Sequence, residues 1–182
     1  YVAPVSLPEF LKYFDPIWTY STSSPTPLYC KAEVTVNMTA KETFFVRSYR
    51  HSNGRYNVTE LLRGQFIHET NLIHGSEPHD AMNVGKPGCL LEHREELMFQ
   101  NFDNTCAVIK ITWFANILIP FSFNQRKTTF ELRVKDSSVL SVDKECFEQF
   151  VYYVPFPQNY TNVFSNECEK QYYAQIRSIL PK

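Results

Sequence analysis

Apolar and β-branched residues in this chain gather in short runs, each closed by turn residues. The runs are Ile17–Ser23, Cys30–Asn37, Thr43–His51, Glu60–Thr70, Asp80–Val84, Glu95–Asn101, Cys106–Phe114 and Thr128–Lys135, rich in Val, Ile, Thr, Tyr and Phe. Such side chains fit a pleated, half-buried surface. Ser24–Pro27, Met38–Lys41, Ser52–Gly54, Gly75–Pro78, Gly85–Gly88, Asp103–Asn104 and Asn124–Lys127 separate them. Eight successive strands at this spacing predict an up-and-down antiparallel barrel, which closes on itself and leaves no edge to protect. Ahead of them, Ser6, Pro8 and Glu9 place a cap, a proline and an acid before Phe10, Leu11 and Phe14. That pattern predicts a short helical turn, ended by Asp15-Pro16. After Ser141 the spacing lengthens: Phe147, Phe150 and Val151 form one helical face that stops before Pro155. A short strand over Tyr160–Phe164 and a second helix over Glu167–Leu180 follow. With no repeat, low-complexity tract or linker, residues 1–182 read as one domain.

Composition narrows the function. The chain has 182 residues, 43% hydrophobic and 15% aromatic, with a net charge of -1, enough to bury a core as one domain. A near-neutral chain lacks the basic field that binds nucleic acid. The longest apolar stretch, Trp113–Phe123, is broken by Asn116 and Pro120 and falls short of the ~20 residues a membrane span needs. The five cysteines, Cys30, Cys89, Cys106, Cys146 and Cys168, have no C-x-x-C spacing, so disulfides are a better reading than zinc. Sequons at Asn37, Asn57 and Asn159, with a weaker one at Asn104, agree with secretion. The expectation is an extracellular, soluble protein whose leader has been removed.

The order of these features resembles a lipocalin, most closely the salivary lipocalins of ticks, which include histamine-binding and leukotriene-binding proteins. The residues that carry the resemblance are the N-terminal turn, Ile17–Tyr20 on the first strand, Cys30 on the second, Cys106–Ile109 in a late strand, Thr129–Asp136, and then Cys146 and Cys168. Pro16-Ile17-Trp18 stands where lipocalins generally have Gly-x-Trp. The resemblance implies an eight-stranded antiparallel barrel with C-terminal helices packed outside, and disulfides Cys30–Cys168 and Cys106–Cys146. Cys89 is left as an unpaired thiol, with a Cys89-linked dimer of an otherwise monomeric protein as one outcome. If Cys106 points outward to a helix, strand alternation turns Ala107, Ile109, Ile111 and Trp113 to the lumen.

A barrel of this size holds either packed side chains or one small ligand, and aromatic content describes both equally. The resemblance favours a ligand. A cationic amine such as histamine or serotonin needs a carboxylate and aromatic faces. Glu131 stands where the resemblance places an acid, although its alternation with Phe130, Leu132 and Val134 reads as a solvated outer position; Glu69, Asp80, Glu95 and Glu96 are other strand acids. A fatty-acid-like ligand such as a leukotriene needs an arginine fork. Arg47 between Phe45 and Tyr49, with Arg63 on the next strand, offers one, and Ile109, Ile111, Trp113, Ile117 and Leu118 suit an acyl chain. On the third strand Phe44, Val46 and Ser48 face one way and Phe45, Arg47 and Tyr49 the other, and either set can line the lumen. A sterol would need little charge pairing.

The candidate ligand-binding residues are therefore Trp18, Phe45, Arg47, Tyr49, Arg63, Ile109, Ile111, Trp113 and Glu131. His51, His68, His74, His79 and His93 match no metal-ligand spacing, and no nucleophile elbow, phosphate loop or His-Glu-x-x-His motif points to an enzyme. No metal or cofactor is expected. The expected function is capture of a small hydrophobic or amphipathic host mediator, suppressing inflammation or immunity, with lipids (leukotriene, fatty acid or sterol) ahead of amines. The alternative is a module whose loops bind a host protein or immune-cell receptor.

Overall fold

A computed structural model describes residues 6–12, 15–51, 54, 57–67, 79–114 and 128–179, with side chains described to residue 174. Glu69, His68, His74, Phe14, Ile117 and Leu118 lie outside the described residues. The elements are α1 (Leu7–Leu11), β1 (Ile17–Thr22), β2 (Leu28–Met38), β3 (Glu42–His51), β4 (Asn57–Ile67), β5 (Ala81–Gly85), β6 (Leu91–Gln100), β7 (Cys106–Trp113), β8 (Thr128–Lys135), α2 (Lys144–Tyr153), β9 (Thr161–Asn162) and α3 (Asn166–Ile179). Strands β2 to β8 pair in order, β8 pairs with β1, and β1 returns to β2 through Ile17↔Glu33 and Trp18↔Ala32, which closes an eight-stranded antiparallel barrel. The predicted strands are all present. β6 begins four residues earlier than expected because pairing with β5 and β7 draws Leu91–Arg94 into the ladder, Leu91 opposite Gly85 and His93 opposite Trp113. Cross-strand pairing here outweighs the low strand propensity of a charged run.

α1 plugs one end of the barrel. Ser6 caps it, its Oγ accepting from Glu9 N at 3.4 Å, as a polar N-cap does for an orphan amide. Leu7, Phe10 and Leu11 are buried among Ile17, Phe45, Leu62, Phe66, Met82, Val84, Leu97, Ala107, Ile109 and Ile111, the inner apolar cluster. The plug is stitched in place by Leu7 N to His79 O at 2.9 Å, Ser6 N to Gln100 Oε1 at 3.1 Å and Thr35 Oγ1 to Leu11 O at 2.8 Å. Gly64 lies on the inner face of β4 because a Cβ there would stand 2.5 Å from Met82 Sδ.

A second apolar cluster lies outside the wall. Val108, Phe130, Leu132 and Val134 pack against Cys146 and Phe150 of α2 and against Val139 and Val154. Asp143 caps α2, accepting from Glu145 N at 2.8 Å, and also accepts from Asn101 Nδ2 at 3.0 Å, which fixes the helix to the β6–β7 hairpin. Disulfides Cys106–Cys146 and Cys30–Cys168 fasten α2 and α3 to the barrel. Cys89 is free and exposed in the β5–β6 turn. Asn37, Asn57 and Asn159 are exposed. The Asn104 amide is committed instead, donating to Glu9 O at 3.1 Å and accepting from Gln100 Nε2 at 2.5 Å.

Candidate ligand site in the barrel

The parity argued from Cys106 describes β7: Ala107, Ile109 and Ile111 belong to the inner cluster while Cys106 and Val108 belong to the outer one. Register carries this parity to the next strand, since Ala107 pairs with Arg133, Ile109 with Glu131 and Ile111 with Thr129. The charged residues of β8 therefore point inward. This overturns the outer reading of Glu131. Alternation separates two faces without saying which is wet, and on β8 the outer face is covered by α2. Phe130, Leu132 and Val134 fill that covered face, so the polar set takes the lumen. On β3 it is Phe45 and Arg47 that are buried, at 3% and 6% exposure.

Seven of the inward polar residues form one ionic network, while Lys135, also inward on β8, lies over the Phe10 ring at 5.3 Å. Lys31 Nζ lies 2.6 Å from Glu131 Oε1. Arg47 Nη2 lies 2.6 Å from Glu33 Oε1 and 2.5 Å from Glu95 Oε1. Arg133 Nη1 lies 2.6 Å from Glu95 Oε2 and 3.4 Å from Glu33 Oε2, and its Nε donates to Glu131 Oε2 at 2.8 Å. Arg133 Nη2 also lies 2.8 Å from Glu131 Oε2, but at an angle that makes a charge contact without a hydrogen bond. Thr19 Oγ1 adds a 3.4 Å bond to Glu131, and His93 Nε2 lies 3.0 Å from Glu95 Oε1. Lys31, Glu33, Arg47, His93, Glu95, Glu131 and Arg133 are each at most 6% exposed.

Burial favours neutral groups, and here pairing overcomes it for the acids. Against burial, Arg133 and Arg47 hold the Glu95 carboxyl well below its usual range. Lys31 and Arg133 likewise bring Glu131 down to about 2. Burial pushes His93 down, so its imidazole is neutral. Burial, with Arg47 beside it, pushes the Lys31 ammonium down while Glu131 holds it up. By formal charge the three basic and three acidic side chains of the network balance.

Most of the sequence candidates surround this network. Phe45, Arg47, Ile109, Ile111 and Glu131 face the lumen together. Trp113 stands at the end opposite α1, 38% exposed, its ring centroid 4.6 Å from that of His93. Tyr49 is partly buried; its ring meets His51 at 5.5 Å, and it borders a shallow outer niche with Cys30, Cys168 and Tyr172. Two candidates are corrected. Trp18 lies outside the wall, packed on Phe164 and Tyr172 at 5.2 and 5.4 Å, with Nε1 donating to Asp136 at 2.8 Å. Its neighbours on β1, Ile17 and Thr19, take the inner face. Arg63 is also outside, since it pairs with Phe44 while its neighbour Leu62 is inside, and its Nε donates to Glu42 at 2.6 Å.

Sequence reasoning missed Lys31, Glu33, His93 and Arg133. Their signal was available only through register: a charge opposite an inward apolar residue is itself inward. Among the described residues no cluster of His, Cys, Asp and Glu has metal-site geometry, and no helix is long and apolar enough to cross a membrane.

A closed eight-stranded antiparallel barrel with an N-terminal helical plug and a helix disulfide-bonded to its wall is a lipocalin-type fold. Solved structures agree. The chain is similar to AM182, solved as a serotonin complex, at 13% identity with a TM-score of 0.60 over 92% of this chain and 94% of that one. It is similar also to Japanin from Rhipicephalus appendiculatus, solved bound to cholesterol, at 14% identity and a TM-score of 0.55 over 90% of this chain and all of the other. No protein-family model and no curated protein matches the chain by sequence.

Proposed function

We propose that the protein is a secreted lipocalin that captures one small, uncharged, largely apolar host molecule in its lumen and thereby lowers the free mediator without turning it over. Capture of this kind works by mass action, and tight binding in a largely preformed pocket is its only requirement. The observation that carries the choice of ligand is the compensated network. Among the described residues, the network carboxylates Glu33, Glu95 and Glu131 each already have a resident cation, so an ammonium ligand would add a charge that none of these three is free to balance. Arg47, the expected carboxylate fork, already holds Glu33 and Glu95. A fatty acid or leukotriene would have to break those contacts, and a buried charge left unpaired costs about 3–5 kcal/mol. A neutral lipid disturbs neither. Its apolar body suits the cluster of Phe45, Leu62, Ile109 and Ile111. Of the two ligands in the structural neighbours, cholesterol has this character and serotonin, an amine, does not.

Competition binding on the refolded or secreted protein tests this reading. Cholesterol is expected to bind well ahead of serotonin, histamine and arachidonic acid. Preferential binding of any of the three charged molecules would overturn the reading, and failure of the whole panel would favour a protein target.

A further inference from the structure

His93 is 1% exposed and shares the inner face of β6 with Glu95 and Leu97. Its two ring nitrogens are used unequally. Nε2 lies 3.0 Å from Glu95 Oε1, and that carboxylate, bonded by Arg47 at 2.5 Å and Arg133 at 2.6 Å, is ionised and can only accept. The imidazole proton therefore sits on Nε2. A neutral imidazole has one ring proton, so Nδ1 presents a bare lone pair. Among the described residues nothing donates to it. Buried acceptors are rarely left in that state, and leaving one unmade is costly. The Trp113 ring lies 4.6 Å from the imidazole, at the barrel end opposite α1.

We infer that His93 Nδ1 and the adjoining Trp113 face form a subsite for a hydroxyl-bearing neutral lipid, the hydroxyl donating to Nδ1 while the carbon skeleton lies on the indole. This deepens the proposed capture of an uncharged ligand and rests on it. The register Val84↔His93↔Trp113 sets the subsite where β5, β6 and β7 meet. The chemistry is directional. An alcohol supplies the missing proton; a ketone, an ester or a methyl ether supplies only another lone pair. An ammonium also donates, but it brings a positive charge into a network whose three acids are already matched.

The test compares matched pairs on the wild-type protein: cholesterol with its 3-methyl ether, and 1-tetradecanol with its methyl ether and with tetradecylammonium. Each alcohol is expected to bind about tenfold more tightly than its ether, the worth of one buried hydrogen bond. In parallel, the His93 Nδ1 nitrogen resonance is expected to shift with the alcohols and stay put with the ethers. In His93→Leu, which removes the acceptor while Glu95 keeps Arg47 and Arg133, the preference is expected to collapse while ether binding survives. Equal binding of alcohol and ether with an unmoved Nδ1 resonance would overturn the subsite and leave lipid capture standing. Tetradecylammonium binding ahead of the alcohol, or no binding by any of these molecules, would overturn both.

Discussion

At the scale of single residues, the lumen acids and bases act as one unit, and breaking it from one side is the costly change. Glu95 accepts from Arg47, His93 and Arg133 and is fully buried. Glu95→Gln keeps the volume but leaves two guanidinium groups short of a counter-charge. It is expected to lower unfolding stability by about 3–5 kcal/mol, read as a fall in urea midpoint at unchanged slope. Replacing Lys31 and Glu131 together by Met is expected to cost less than Glu131→Met alone, because the pair leaves as a whole. These residues were the least legible part of the chain. Glu131 sits among Phe130, Leu132 and Val134, a pattern that normally means polar outside. It means the reverse here because α2 covers the outer wall. Trp18 was misassigned for the same reason, its apolar surroundings being α3 and not the lumen.

At the scale of elements, the wall and the helices that cover it are joined by covalent and packing contacts together. The Cys106–Cys146 bridge closes a loop with a sequence separation of 40, and Cys30–Cys168 one with a separation of 138. Cys106→Ser with Cys146→Ser is expected to cost about 2–5 kcal/mol, measured by thermal or urea unfolding. Because Phe150 and Leu132 still pack across the interface, the barrel's circular-dichroism signature is expected to persist. The elements themselves were legible. Strand runs bounded by Pro, Gly, Asn and Asp located all eight strands, and the Cys106–Cys146 pairing that the family resemblance implies gave the inward face of β7. That parity did not pass to β8 from sequence because the long connection after β7 leaves the pairing register undetermined, and one residue of slip exchanges the two faces.

For the whole molecule, the buried network makes stability fall with acid in two stages. His93 has a folded pKa below its ordinary 6.5, so the unfolded chain takes the proton first and stability declines as pH drops below about 6.5. Glu95 and Glu131 have folded values depressed from 4.5, Glu131 to about 2. Their stabilisation is complete above about pH 4.5 and is lost as pH falls toward 2. Urea midpoints between pH 8 and pH 3 are expected to show both stages, and His93→Gln to remove only the upper one.

On the proposed reading, the same network decides what the barrel accepts. Native mass spectrometry of protein secreted by eukaryotic cells, followed by identification of the released molecule, measures this most directly. One equivalent of a neutral, hydroxyl-bearing lipid is the predicted result. A retained amine or fatty acid, or a barrel that stays empty when offered sterols and fatty alcohols, would contradict it.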